Sequence, residues 1–214
     1  MDQITRRDQA LPYIADEACW QQMLATRRLL HALNHADPGD PAAQEALLRR
    51  ILGSAGKNIS IQPPFYCDYG FHITVGNNFF ANFNLTILDV GTVTIGDYVF
   101  IGPNVGIYTA GHPVHPDARN SMYEYGIPIR IGSNCWIGGH TVIMPGVTIG
   151  DGTVVGAGSV VTKDLPAGVV AAGNPCRVRR TLTEADRQYY FQKREFDAEA
   201  MQDVERSKAE NHIV

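Results

Sequence analysis

Two histidines, His112 and His115, stand close together in the segment YTAGHPVHPDARNSMYEYGIP. Imidazole takes up a proton near neutral pH, which suits a general base that deprotonates an alcohol. The ordinary alternative is a solvated or hydrogen-bonded loop histidine, and the residues alone do not separate the two. The spacing of His112 and His115 also fits a pair of metal ligands. A metal usually needs a third protein ligand, and none stands at a suitable spacing.

A second set of residues is basic and stands near the end of the repetitive part of the chain. Lys163, Arg177 and Arg180 could bind the phosphates of a nucleotide-like cofactor through charge-assisted hydrogen bonds. The alternative is that they only keep the surface soluble, which is the commoner role of a lone Lys or Arg. The chain has no G-x-x-x-x-G-K-[ST] phosphate loop, so its sequence does not predict a P-loop nucleotide site.

The segment FFANFNLTILD places polar side chains among aromatic and aliphatic ones. Asn82, Asn84 and Asp89 in this segment could line a cleft that offers a few hydrogen bonds to a small molecule. The alternative is a ladder of asparagines stacked within the fold, which satisfies its own hydrogen bonds. Trp136 leaves a similar choice between the wall of a pocket and a packed interface.

A six-residue repeat carries most of these residues. Aliphatic side chains recur at every sixth position, mostly followed by glycine: Ile131, Ile137, Ile143, Ile149, Val155 and Val161. This period fits neither a helical heptad nor the alternation of a strand, and it indicates a solenoid of stacked coils. Three hexapeptides make one triangular coil of about 18 residues, with the aliphatic residues pointing inward. The glycine suits a corner that needs unusual backbone angles or close packing.

The chain divides into three parts. Residues 1–55 are predicted to form helices that cover one end of the solenoid, with Asp40 and Pro41 at one helix start. Residues 56–176 are predicted to form the solenoid, with an insertion at 108–128 that contains both histidines. Such insertions often carry binding chemistry. Residues 177–214 are predicted to form a helical extension, in which Thr183 and Asp186 resemble a capping box.

Composition narrows the class of protein. The 214 residues fit one compact domain with appendages, and the 21 glycines and 12 prolines suit a turn-rich solenoid. A net charge of −4 without a long basic run argues against a nucleic-acid partner. The four scattered cysteines suit a reducing compartment, and no apolar stretch is long enough for a signal peptide or a membrane span. We therefore expect a cytoplasmic protein without a membrane partner.

Several segments in the correct order resemble the galactoside and maltose O-acetyltransferases of the hexapeptide-repeat acyltransferase superfamily. They are NFFANFNLTILD, TAGHPVH, IGSNCWIGGHTVIMPGVTIGD, VGAGSVVTKDLP and AAGNPCRVRR. The resemblance runs from the N-terminal helices to about Arg180. It implies an all-β solenoid, a left-handed parallel β-helix, assembled as a homotrimer with active sites between subunits. It also implies transfer of the acetyl group of acetyl-CoA to a hydroxyl of a sugar, with no metal required.

The resemblance also implies roles for individual residues. His112 matches the catalytic base, which favours it over His115. Positions that bind the acetyl acceptor are matched by Asp68 and Asn82, and less closely by Asp16, Asp89 and Glu124. Positions of the coenzyme A groove are matched by Trp136, Gly139, Ala157, Thr162, Lys163, Arg177 and Arg180. The backbone N–H of Gly139 is the implied donor to the tetrahedral oxyanion.

Departures from the family pattern fall on the acceptor side. Phe80 stands where galactoside-type enzymes have a tyrosine, Asp89-Val90 where they have two acidic residues, and Met23 near the place of an arginine. The identity of the sugar therefore stays open. Two alternatives also stay open: an antibiotic or amino sugar as the acceptor, and a non-catalytic or metal-dependent trimeric β-helix protein.

Overall fold

The computed structural model describes the backbone of residues 1–211 and the side chains of residues 1–207. Three helices come first, and each begins after an aspartate whose carboxylate accepts a hydrogen bond from a backbone amide of the first turn. They are α1 (Gln3–Asp8) after Asp2, α2 (Glu17–Asn34) after Asp16, and α3 (Pro41–Ile51) after Asp40. The predicted helix start at Asp40 and Pro41 is confirmed.

From Ser54 the chain winds into a solenoid whose short strands form three sheets, and these sheets are the three faces of a triangular coil. The first face comprises β1 (Ser54–Ala55), β4 (Ile73–Val75), β7 (Val93–Ile95), β12 (Ile129–Ile131) and β15 (Thr148–Ile149). The second face comprises β2 (Ser60–Ile61), β5 (Phe80–Ala81), β8 (Phe100–Ile101), β13 (Trp136–Ile137), β16 (Val154–Val155), β18 (Val169–Ala172) and β19 (Arg177–Thr181). The third face comprises β3 (Phe65–Cys67), β6 (Leu85–Leu88), β9 (Gly106–Tyr108), β14 (Val142–Ile143) and β17 (Val160–Val161). The predicted β-solenoid is confirmed.

The chain passes from the first face to the second and then to the third, so each coil has three corners. The second corner lies between the second and third faces and comprises residues 62–64, 82–84, 102–105, 138–141 and 156–159. The third corner lies between the third and first faces and comprises residues 68–72, 89–92, 109–128, 144–147 and 162–164. These two corners carry most of the residues predicted for the site.

The register of the strands gives the length of a coil. Arg130 pairs with Thr148, which agrees with the predicted coil of about 18 residues. Thr74 pairs with Thr94, so the earlier coils are slightly longer. Thr94 in turn pairs directly with Arg130, because the insertion leaves the solenoid at the third corner and returns to it in register.

The aliphatic residues of the repeat form the core, as predicted. The six residues that define the repeat are each at most 2 % exposed: Ile131, Ile137, Ile143, Ile149, Val155 and Val161. Full burial of such a side chain stabilises a fold by about 1.5–3 kcal/mol. At the corners, the hydroxyls of Thr141 and Thr153 each donate to a backbone carbonyl at 2.7 Å. Buried polar groups therefore stay paired where the chain turns.

Gly138 shows why the repeat requires glycine. A Cβ at this position would lie 2.5 Å from the backbone nitrogen of Ala157 in the next coil, so close packing excludes a side chain. The left-handed backbone falls two residues later, at His140, whose φ is 58°. Of the two uses predicted for the glycine, close packing is the one that applies here.

Helices α2 and α3 cover the end of the solenoid where strand β3 is the edge. Apolar residues of both helices pack into the same core as the coils: Leu30, Leu33, Leu48 and Ile51. The Nδ2 atom of Asn34 donates to the Phe65 carbonyl at 3.0 Å, and its Oδ1 accepts from the Phe65 amide at 2.9 Å. These bonds satisfy backbone groups of an edge strand that would otherwise be open to another chain.

The insertion folds as an antiparallel pair of strands around a short helix. Strand β10 (Ala110–Gly111) pairs with β11 (Tyr125–Gly126), and α4 (Pro116–Asn120) lies between them in the chain. The N-terminal segment joins this pair, because the backbone amides of Tyr13 and Glu124 donate to each other's carbonyls at 3.0 and 2.9 Å. The N-terminal segment therefore fixes the returning part of the insertion.

Residues from Thr181 onward form a second compact unit. It contains a 3-10 helix (Glu184–Gln188), β20 (Tyr189–Phe191), β21 (Arg194–Glu195) and α5 (Ala198–Asn211). The Thr183 amide donates to Asp186 at 2.8 Å, so the predicted capping box is present. The segment predicted as a helical extension thus begins with strand β19 and reaches its long helix only at Ala198, and residues 212–214 lie outside the described part.

Candidate active site

A cleft of about 670 Å³ lies on the second face and the second corner. It brings together four of the residues predicted for the site: Asn82, Trp136, Gly139 and Ala157. Trp136 pairs in register with Phe100, which pairs with Phe80 on the next strand, so aromatic side chains form a column along one wall. Trp136 is 58 % exposed, so within this chain it lines a pocket and is not packed in the core.

The cleft offers hydrogen-bond donors at its corner. Within residues 1–207, the backbone N–H groups of Gly139 and Ala157 have no hydrogen-bond partner. These two residues occupy the same position in successive coils, so their N–H groups follow each other along the solenoid axis. The Oδ1 atom of Asn82 accepts from the Phe83 amide at 2.7 Å, which leaves its Nδ2 group as a donor toward the cleft. Neutral donors in a row suit the carbonyl oxygens of an extended ligand.

His112 does not lie at the cleft. It lies at the third corner of the coil, directly after strand β10. Its side chain is 56 % exposed, and its Nε2 atom lies 4.0 Å from Oε2 of Glu124. His115 caps helix α4, where its Nδ1 accepts from the Asp117 amide at 3.3 Å. His115 therefore has a structural contact that His112 lacks. No group of three or more His, Cys, Asp or Glu side chains in the described part of the chain could hold a metal ion.

Two aspartates predicted for acceptor binding differ in their surroundings. Asp68 is partly buried, and burial together with the carboxylates of Asp89 and Glu124 raises its pKa to about 6. Asp89 is fully buried, and its Oδ1 accepts from the backbone amides of Asp68 and Tyr69 at 2.9 and 3.0 Å. Asp89 therefore holds the turn that carries Asp68, and its burial does not support direct contact with an acceptor.

Asp16 is exposed and caps helix α2, where its carboxylate accepts from the Cys19 amide at 3.0 Å. This bond fixes the carboxylate close to the segment that carries Tyr13, which in turn pairs with Glu124. The Oδ1 atom of Asp16 is engaged in this cap, so Asp16 can bind a ligand at the third corner only through Oδ2.

The residues predicted to bind phosphates are exposed and lie in two places. Thr162 and Lys163 follow strand β17 at the third corner, whereas Arg177 and Arg180 lie on β19, at the end of the second face. Arg177 donates from Nη1 to the Cys176 carbonyl at 2.7 Å. The structure thus places one basic pair on the sheet that carries the cleft, and Lys163 on the corner from which the insertion leaves the solenoid.

The predicted site residues therefore form two groups on different corners of one coil. The cleft group comprises Asn82, Trp136, Gly139 and Ala157, and the third-corner group comprises Asp68, His112, Glu124, Thr162 and Lys163. The third face of the solenoid lies between the two corners. One chain alone does not bring its histidine to its own cleft.

Two residues of these groups escaped prediction from the sequence. Phe100 is 52 % exposed in the cleft wall, and Tyr13 is fully buried against Glu124. Phe100 stands just before the inward Ile101 of the repeat, as Trp136 stands before Ile137, and that position could have marked both as outward residues of one column. For Tyr13 no comparable signal exists, because residue 124, which it contacts, lies 111 positions further along the chain.

The raised pKa of Asp68 has a consequence for stability. A carboxyl whose folded pKa is about 6 binds its proton more tightly in the folded than in the unfolded state, so it costs stability as pH rises from about 4 to 6. Replacement of Asp68 by Asn should remove a cost on the order of 1–3 kcal/mol at pH 7.5 and little at pH 4. We expect a higher Tm at pH 7.5 for Asp68→Asn. The exposed Asp117→Asn serves as the control, and an equal gain at both pH values would contradict the assignment.

Comparison with known proteins agrees with this geometry. Residues 128–163 match the family described as bacterial transferase hexapeptide (six repeats), and residues 10–56 match the maltose acetyltransferase hexapeptide capping motif. The galactoside O-acetyltransferase of Escherichia coli (strain K12) is 50% identical over 171 residues, which are 80% of this chain and 84% of that protein.

Solved structures show the same relationship. A galactoside acetyltransferase in complex with coenzyme A superposes with a TM-score of 0.89 at 45% identity, over 92% of this chain and 100% of that one. A maltose O-acetyltransferase from Clostridium difficile 630 superposes with a TM-score of 0.85 at 45% identity, over 86% of this chain and 99% of that one. The chain therefore belongs to the galactoside and maltose O-acetyltransferase family of the hexapeptide-repeat acyltransferases.

Proposed function

We propose that this protein transfers the acetyl group of acetyl-CoA to a hydroxyl of a sugar. The observation that carries the proposal is the cleft lined by Asn82, Trp136, Gly139 and Ala157, in a chain 45% identical to a structure bound to coenzyme A. An extended pantetheine arm carries two amide carbonyls, and the N–H group of Ala157 is suited to bind one of them, which leaves the Gly139 N–H for the thioester carbonyl. The aromatic column offers the apolar surface against which the arm can lie.

The transfer is direct, in a complex that holds both substrates. His112 takes the proton of the sugar hydroxyl while the hydroxyl oxygen attacks the thioester carbonyl carbon. The Gly139 N–H and the Asn82 amide donate to the oxyanion of the tetrahedral intermediate. The C–S bond then breaks, and the protonated imidazole returns its proton to the thiolate of CoA. Glu124, 4.0 Å from the ring, stabilises the imidazolium while it exists.

The acceptor side of the site is acidic. Carboxylates of Asp16, Asp68 and Glu124 lie at or near the third corner and can accept hydrogen bonds from sugar hydroxyls. Asp89 supports this side by holding the backbone at Asp68. A sugar offers many hydroxyl donors, and ionised carboxylates are acceptors that can bind them. The proposed acceptor is therefore a sugar, and its identity is an outcome of the test below.

We propose further that the protein works as a homotrimer with its sites between subunits. The third corner of one copy would meet the cleft of the next, which unites the two groups of site residues. Val114 and Met122, at the tip of the insertion, are 93 % and 70 % exposed and need an apolar partner surface. The aromatic column beside the cleft offers one. A heterologous contact of this kind closes into a ring.

Lys163, Arg177 and Arg180, with Thr162, are proposed to bind the phosphates of CoA. Truncating Arg177 or Arg180 to Ala should raise the KM for acetyl-CoA with little change in kcat. The reason is that the lost contact stabilises the bound donor and the transition state equally. Added salt should weaken the wild type in the same way, since screening weakens exposed phosphate contacts. The decisive measurement repeats the assay with acetyl-pantetheine, which lacks the nucleotide phosphates. Variants that are equally impaired with both donors would contradict the phosphate assignment.

The proposed function is tested by measuring acetyl-CoA consumption with a panel of sugars, amino sugars and hydroxylated antibiotics. We expect acetylation of sugar hydroxyls, unchanged by a metal chelator. Preferred transfer to an amine or an antibiotic would show that the acceptor is not a sugar hydroxyl. Loss of activity on chelation would favour a metal-dependent protein. We place this reaction in the cytoplasm, a proposal supported by the free thiols of all four buried cysteines.

A further inference from the structure

Tyr13 occupies a place where the N-terminal segment meets the catalytic insertion. Its side chain is fully buried, and its backbone forms two hydrogen bonds with Glu124, at 3.0 and 2.9 Å. The next residue is also held, because the Ile14 amide donates to the Gln3 side chain at 2.9 Å. The backbone around Tyr13 is therefore fixed from both sides.

The hydroxyl of Tyr13 lies in a polar pocket inside an otherwise apolar cluster. Tyr13, Tyr69 and Val90 pack together there, and the Arg7 guanidinium stacks 4.2 Å from the ring centre of Tyr69. Neither tyrosine hydroxyl has a partner at full hydrogen-bond geometry among residues 1–207. A buried hydroxyl without a partner costs about 1–3 kcal/mol, so a small rotation toward a nearby acceptor is favoured.

Glu124 is the anionic acceptor beside Tyr13. Burial raises the pKa of the Tyr13 hydroxyl, and the neighbouring Glu124 carboxylate and Tyr69 hydroxyl raise it further. The Tyr13 hydroxyl therefore keeps its proton and can only serve Glu124 as a donor. Arg7 donates to the side chains of Asp8 and Gln22, and its guanidinium lies over the ring of Tyr69. The Tyr13 hydroxyl is thus the buried donor beside the Glu124 carboxylate.

Glu124 needs such a donor because one of its other neighbours attracts its carboxylate and the other repels it. His112 faces it at 4.0 Å, and Asp68 faces it as a second carboxylate whose pKa it helps to raise. Two like charges repel, so without a fixed donor the Glu124 carboxylate would turn away from Asp68 and from its place beside His112. Tyr13 is fully buried, so water cannot replace its hydroxyl beside Glu124.

We propose that Tyr13 is a positioning residue of the reaction: its buried hydroxyl donates to Glu124 and holds that carboxylate beside His112. The catalytic part of this inference rests on the proposed function, whereas the contact itself does not. Loss of the hydroxyl should lower kcat about tenfold, because a hydrogen bond to a charged group is lost from the transition state. The KM for acetyl-CoA should not change, since the cleft is on another corner.

The experiment compares Tyr13→Phe, Glu124→Gln and the double variant, with Tyr123→Phe as the control. Tyr123 is a partly buried tyrosine of the same insertion and precedes Glu124. We expect Tyr13→Phe to lower kcat about tenfold, and the double variant to match Glu124→Gln alone, because both act through one carboxylate. Effects that multiply in full in the double variant would overturn the proposal.

A second readout does not depend on acetyl transfer. The ring signals of His112 in a histidine-labelled sample, assigned by their loss in His112→Ala, report the surroundings of the imidazole without any substrate. We expect Tyr13→Phe and Glu124→Gln to shift these signals in the same direction, and Tyr123→Phe to leave them in place. Signals that Tyr13→Phe does not move would overturn the proposal even in an active enzyme, while shifted signals in a protein without transferase activity would reject only the proposed function.

Discussion

Replacement of His112 by Ala should lower kcat by ~10²-fold or more, because the variant lacks the group that takes the proton of the acceptor hydroxyl. The KM for acetyl-CoA should stay close to the wild-type value, since the residues proposed to bind the donor are on the cleft and the basic strand. The side chain is 56 % exposed and caps no helix, so its loss should leave Tm unchanged. Steady-state kinetics with both substrates varied measure kcat and KM, and thermal unfolding measures Tm.

His115→Ala is the matched control for this prediction. Its imidazole stands three positions away in the same insertion and contacts the Asp117 amide at the start of helix α4. Loss of that cap should cost about 0.5–2 kcal/mol of local stability and little activity. Near-normal kcat in His112→Ala together with a large loss in His115→Ala would show that the wrong histidine was assigned as the base.

The solenoid could be predicted from the sequence because the residues that recur in the repeat are the ones that pack in its core. Each inward position meets the same position one coil away, so Ile131, Ile137 and Ile143 are all buried and all follow the same spacing. The insertion could be predicted for the same reason, since it is the stretch where this spacing stops. The chain returns in register at Ile129, because Ile129 is the next aliphatic residue that packs into the core.

Other features could not be read from the repeat. The pairing of Tyr13 with Glu124 joins the N-terminal segment to the insertion, and no local pattern encodes a contact of that separation. Asp89 looks like a polar residue at the end of an aromatic segment, whereas the fold buries it to bind two backbone amides. Strand β19 is rich in arginine, and it joins the second face although its composition resembles that of the solvated tail.

The division of the site between two corners also depends on topology. The sequence places Asn82, His112 and Gly139 in one ordered set of motifs, and their resemblance to a family groups them by role. Only the path of the chain from face to face shows that Asn82 and Gly139 lie on the second corner and His112 on the third. We therefore propose that a site that uses all three residues is shared between two copies of the chain.

Mixed oligomers of two inactive variants test that claim most directly. His112→Ala damages only the third corner, and Asn82→Ala damages only the cleft, where loss of an oxyanion donor should cost ~10²–10³-fold in kcat. Co-expression with two different affinity tags, followed by purification on both, isolates oligomers that contain both chains. In these oligomers some interfaces join an intact cleft from one chain to an intact His112 from the other.

We expect the doubly purified protein to regain activity, with about one third of its sites intact, because a closed ring of three that contains both chains has one interface of the required kind. A mixture of His112→Ala with Glu124→Gln is the control, because both changes fall on the same corner and no interface can combine an intact pair. That mixture should never exceed the activity of Glu124→Gln alone. Recovery in the first mixture and none in the control is the predicted result, whereas no recovery in the first mixture would contradict a site shared between two copies.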